Sequence, residues 1–91
     1  MSDPKYIIVK EIPTKYGEAR NVAIVFADII THEHMAEAYG GKENISGAGF
    51  LAIGANSDFG NEYYPYGEST SLDRKCQEED KETIRLMFEQ Y

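Results

Sequence analysis

The 91-residue chain has one cysteine, no tryptophan, three prolines and only 9 basic residues against 16 acidic ones. Each shortage excludes something. A single thiol, Cys76, cannot form an internal disulfide or supply a zinc site built from sulfur alone. No apolar run approaches the ~20 residues that cross a bilayer, and Met1-Ser2-Asp3-Pro4-Lys5 lacks the basic-then-apolar layout of a secretory signal. Few lysines and arginines, with a net charge of −7, argue against a partner held by its phosphate backbone, so no nucleic acid and no membrane are expected. The expected location is a reducing cytoplasm.

What is present suffices for a folded globule. Hydrophobic residues make up 42% and aromatics 12%, too much apolar material for a disordered acidic tail. The length fits one domain over residues 1–91. The acidity is uneven, −2 over residues 1–45 and −5 over 46–91. A charged partner would therefore be basic and would meet the C-terminal half. The plainer reading is that the charge keeps a small protein soluble.

The run Lys5–Ile12 is β-branched and aromatic and ends at Pro13, which predicts a strand. After a polar loop around Gly17, Asn21–Ala27 is apolar nearly throughout, which predicts a second, central strand in a hairpin with the first. Thr31 is a candidate N-cap for a short helix over 32–39, closed by Gly40-Gly41. Ile45–Ile53 reads as a third strand whose glycines permit a bulge or a close backbone approach. A polar loop over 54–61 leads to a fourth strand from Glu62, kept at a sheet edge by Pro65. Ile84, Met87, Phe88 and Tyr91 form one apolar stripe on a helix expected over 77–91. Cys76 stands as its candidate cap, and Glu78, Glu79 and Asp80 fall in its first turn. The order is ββαββα: an α+β fold, mainly antiparallel and four-stranded, with two helices packed on the sheet. A parallel pairing of strands two and three, with the short helix as crossover, is the alternative.

Motifs for chemistry are sparse. His32 and His34 lie two residues apart, about 200° around a helix, so they cannot share one metal ion there. No metal site, cofactor or catalytic residue is assigned. A minor enzymatic reading would use His32 or His34 with Glu33, Glu37 or Cys76. Ranking ahead of it, the first alternative is a small-ligand, nucleotide-like binding oligomer, with Gly47, Gly49, Ser69, Thr70 and Ser71 cradling a phosphate.

Tyrosine is the residue class that stands out, with 7 in all. Tyr63, Tyr64 and Tyr66 crowd the expected edge strand, with Phe59 nearby. Tyrosine buries a large area at low rotamer cost and keeps a hydroxyl for bonding, as interface anchors do. Asp58, Glu62 and Glu68 would form an acidic rim. The expectation is a non-enzymatic protein that occludes a basic protein surface, with homodimerisation through the tyrosine edge as a further expectation.

Phe26, His32, Ser46-Gly47-Ala48-Gly49-Phe50, Gly67-Glu68-Ser69-Thr70-Ser71-Leu72 and Glu79-Asp80 together resemble a group of short bacterial, phage and prophage proteins. That group has a Ser-Ala-Gly-Phe-like strand and a Gly-x-Ser-x-Ser-Leu turn before an acidic helix start. The likeness spans roughly residues 20–80. It departs at the extra glycine of the strand and at Cys76, where a serine would be usual. It implies no activity. It implies a phage or prophage setting, with host or defence machinery as the partner and the host cytoplasm as the location.

Overall fold

The computed structural model describes residues 3–13, 17, 19–56 and 60–89, with side chains described throughout except at 12, 13, 55, 56, 60, 61 and 89. Strands β1 (Lys5–Pro13), β2 (Ala19–Phe26), β3 (Ile45–Asn56) and β4 (Gly60–Tyr66) form one sheet in the order β2-β1-β3-β4. Every neighbouring pair is antiparallel. Helix α1 (His32–Glu37) follows β2, and helix α2 (Asp80–Glu89) closes the described chain. The fold is the α+β class expected, with a four-stranded antiparallel sheet and two helices.

Alternation along β1 sorts the interior into two layers. Ile7 and Val9 point to one face, with Phe26, Ala36, Ile45, Ala48 and Leu72. Tyr6 and Ile8 point to the other, with Ala23, Leu51, Tyr63 and Ile84. One helix covers each face: Ala36 belongs to α1 and Ile84 to α2. β1 has partners on both edges and a helix over each face, and Tyr6 to Val9 are all buried.

That arrangement corrects the expectation that residues 21–27 form a central strand. β2 is an edge, and its outer residues are exposed from Ala19 to Asn21. An apolar run marks burial of side chains on the two faces and says nothing about pairing of backbone at the flank. The parallel alternative also fails, because β3 pairs with β1 and not with β2.

The glycines of β3 do both things foreseen for them. Ile45 lies opposite Val9 and Gly47 opposite Ile8, so Ser46 is the extra residue of a bulge. Gly49 meets the Tyr66 carbonyl and the Tyr6 ring so closely that a side chain would collide with them. The loop expected over 54–61 is mostly strand instead, since the pairing of β3 with β4 runs on from Phe50↔Tyr66 to Asn56↔Gly60.

Thr31 caps α1, its hydroxyl accepting the His34 N–H at 3.0 Å. α2 begins at Asp80 rather than 77, and Cys76 is not its cap. The Asp80 carboxylate reaches back to accept the Gln77 N–H at 2.9 Å, a job done by a carboxylate inside the first turn. Between β4 and α2 lies a small hairpin not foreseen, β5 (Glu68–Ser69) with β6 (Arg74–Lys75). The Arg74 guanidinium ties it to the sheet, donating to the Ile45 carbonyl at 2.8 Å.

Candidate functional site

Directly opposed residues of an antiparallel pair share a face. Tyr66 opposes Phe50, Tyr64 opposes Ala52 and Glu62 opposes Gly54, so the side chains of 62, 64 and 66 line the α1 face of β4. With only six residues, α1 packs over β1 and leaves this outer strip open. Tyr64 and Tyr66 are 46% and 45% exposed.

Tyr63 points the other way. It is 6% exposed and stacks on Phe88 of α2, ring centres 5.0 Å apart and planes 13° apart. Of the three tyrosines grouped by sequence, two form a surface and one holds the helix on. Residue parity along a strand decides this.

The Tyr66 ring is held from beneath. His32, buried, donates from Nε2 to the Gly49 carbonyl at 2.8 Å, because a carbonyl can only accept. Phe26 and Phe50 meet its ring edge-on, each with centres 5.7 Å away. Phe50 in turn stacks on Tyr66 at 5.7 Å. Gly67, at φ +80°, leaves room where a side chain would crowd the Phe50 ring. Burial pushes the His32 pKa down, against the carbonyl bond that favours the charged ring, and Lys5 adds to the lowering. His32 is therefore a neutral strut. His34 is exposed, facing away from it.

Both exposed hydroxyls donate to carboxylates. Tyr66 Oη bonds Asp3 Oδ2 at 2.6 Å, and Tyr64 Oη bonds Glu62 Oε2. The Asp3 carboxylate holds the Tyr66 hydroxyl in its protonated form, pushing its pKa above the ordinary tyrosine value. The Lys81 ammonium sits 5.2 Å from the centre of the Tyr64 ring. The Tyr64 ring thus already meets a cation of this chain, while the Tyr66 ring has only the Asp3 carboxylate at its hydroxyl, and a face framed by negative charge attracts a cation.

Asp3 belongs to this strip and nothing local in the sequence announces it, since 63 residues separate it from Tyr66. Glu62 shares the face of Tyr64 and accepts from its hydroxyl. Glu68 is exposed but lies across from Lys75 in the β5–β6 hairpin, beside its opposite charge. Asp58 and Phe59 lie outside the described residues.

Of the residues suggested as a phosphate cradle, Gly47, Gly49 and Ser69 are buried. Gly47 makes room for the Asp80 carboxyl group, whose Oδ1 would stand 2.9 Å from a Cβ at that position, so a side chain of this chain fills the space a phosphate would need. Ser69 is buried, and its hydroxyl accepts the Leu72 N–H at 3.4 Å and meets the Ser71 hydroxyl at 3.3 Å. Thr70 and Ser71 are exposed in the turn that follows.

Asp80 is itself unusual. It is 1% exposed, its Oδ2 accepts from Tyr6 Oη at 2.8 Å as well as from Gln77, and Oδ1 has no partner. Burial raises its pKa, opposed by the Gln77 and Tyr6 bonds. Tyr6, buried against Cys76 and Asp80, is pushed well above the tyrosine range, first by burial. Cys76 is half-buried and points its thiol at the Gln77 carbonyl, 3.7 Å away. These three groups lie under α2, on the sheet face opposite the exposed tyrosines.

Among the described residues no three metal-binding side chains cluster, and no helix is long and apolar enough to cross a membrane. No family model, curated protein or solved structure matches the chain.

Proposed function

We propose that this is a small acidic, non-enzymatic binding protein that occludes a basic surface of a partner protein through the outer face of β4. The observation that carries the reading is the pairing of each half-exposed tyrosine with a carboxylate, Tyr64 with Glu62 and Tyr66 with Asp3. Aromatic faces supply apolar contact area and the carboxylates supply complementarity to arginine or lysine. Phe50 and His32 fix the Tyr66 ring before binding, which lowers the entropy lost on association. The net charge of −7 steers a cationic partner and repels an acidic one. The resemblance to short phage and prophage proteins makes host or defence machinery the natural target.

The test is site-specific photo-crosslinking in a bacterial lysate, with a benzophenone side chain at position 64 or, as control, at Glu33 on the exposed side of α1. A basic protein captured only from position 64, weakened by added salt and lost with Tyr66→Ala, supports the reading. The same proteins captured from both positions, or capture unchanged by Tyr66→Ala, would overturn it.

A further inference from the structure

Tyr64 and Tyr66 share one design, a half-exposed ring whose hydroxyl donates to a carboxylate. At Tyr64 the chain supplies its own cation. The Lys81 ammonium lies 5.2 Å from the ring centre, inside the roughly 6 Å over which a ring face attracts positive charge. The neighbours of Tyr66 are different. Phe50 stacks on its ring with planes 26° apart, and Asp3 Oδ2 accepts from its hydroxyl at 2.6 Å. Among the described residues no lysine or arginine pairs with Asp3 or lies over the Tyr66 ring. Lys5, the lysine nearest Asp3 in sequence, turns elsewhere and donates to the Ile30 carbonyl at 3.0 Å.

Both parts of this unit are held in place. The Pro4 carbonyl accepts the Leu51 N–H at 2.9 Å, which ties the chain just after Asp3 to β3, and the proline ring restricts the backbone there. Phe50, set between His32 and Tyr66, fixes the ring. A carboxylate has about four lone-pair sites, and the Tyr66 hydroxyl uses one. The unit therefore offers a ring face and, beyond the hydroxyl at its rim, a carboxylate still able to accept. An ammonium is a compact, strongly hydrated charge that can sit over the ring or against the carboxylate. A guanidinium is flat and more weakly hydrated. Laid on the ring, it directs N–H groups outward in its own plane to the carboxylate.

We propose that Tyr66 and Asp3 together seat one arginine side chain of the partner protein, its guanidinium flat on the ring and its N–H groups on the Asp3 carboxylate. This rests on the occlusion reading above, since it names the group that the β4 strip covers. The net charge of −7 draws any cation towards the chain, and the ring with its carboxylate selects arginine over lysine.

The probe is a capped pentapeptide of glycine and serine with one central arginine, titrated into the full chain and followed through the ring proton resonances of Tyr66. Saturable shifts are expected, with a Kd on the order of 1 mM. The same peptide with lysine should bind at least about threefold more weakly. Asp3→Asn should weaken the arginine peptide by about tenfold. Equal binding of the two peptides, unchanged binding to Asp3→Asn, or no Tyr66 shift by about 20 mM would overturn the proposal. Crosslinking from position 64 tests the occlusion reading separately. If a basic protein is captured there while both peptides bind alike, the arginine seat falls and the occlusion reading stands. If arginine shifts Tyr66 selectively while no basic protein is captured, the seat stands and the occlusion reading falls.

Discussion

Gly47 of β3 lies against the carboxylate of Asp80, so that a Cβ at position 47 would stand 2.9 Å from Oδ1 and closer still to Oδ2. The glycine is there for space, and its occupant is a buried acid that joins the start of α2 to Tyr6 of β1. Gly47→Ala forces the carboxylate to move within a packed interior, at a cost of about 1–3 kcal/mol. A urea titration should show a lower midpoint with unchanged slope. In an Asp80→Ala background the same substitution should cost less by at least about 0.5 kcal/mol, because the clash is gone.

His32 and Asp80 give stability opposite slopes with pH. Burial depresses the His32 pKa, so the unfolded chain takes up its proton first. Stability is then full above the ordinary histidine value of 6.5 and declines as pH falls below it, down to the folded pKa. Burial raises the Asp80 pKa, so its contribution is full below the ordinary value of 3.8 and is lost as pH rises through the folded pKa. Thermal melts from pH 8 to 5 should show the histidine decline, and His32→Gln should remove it. A decline of equal size in that variant would place its origin elsewhere.

Tyr66 should titrate later than an ordinary tyrosine, because Asp3 accepts a hydrogen bond from its hydroxyl and would repel the phenolate. Ultraviolet difference titration of the chain against Tyr66→Phe isolates its transition. Asp3→Asn should return it towards the ordinary range. An unshifted transition in the parent chain would mean the pair does not persist in solution.

Neighbouring tyrosines should separate by assay. Tyr63→Ala removes the ring stacked on Phe88 and costs about 3 kcal/mol or more, much of what a domain this small has. Tyr64→Ala and Tyr66→Ala should each change stability by no more than about 1 kcal/mol, and Tyr66→Ala should abolish crosslinking from position 64. Loss of folding in Tyr66→Ala would identify its stack with Phe50 as part of the core.

Local physics wrote much of this fold into the sequence. A β-branched and aromatic run marked β1, Thr31 marked the start of α1, the spacing of Ile84, Met87 and Phe88 marked α2, and Pro65 marked β4 as an edge. Each signal acts over a few residues, through steric preference, a backbone bond or helical period. What tertiary structure alone decided is which strands became neighbours and what each face meets. β2 lies at the flank because β3 returns to pair with β1, and apolar side chains do not encode that choice. Asp3 reaches Tyr66, Gly47 yields to Asp80 and Tyr63 turns beneath α2 because register fixes all three. Register is set by contacts between distant segments and by a bulge at Ser46, so it exists only once the sheet has closed.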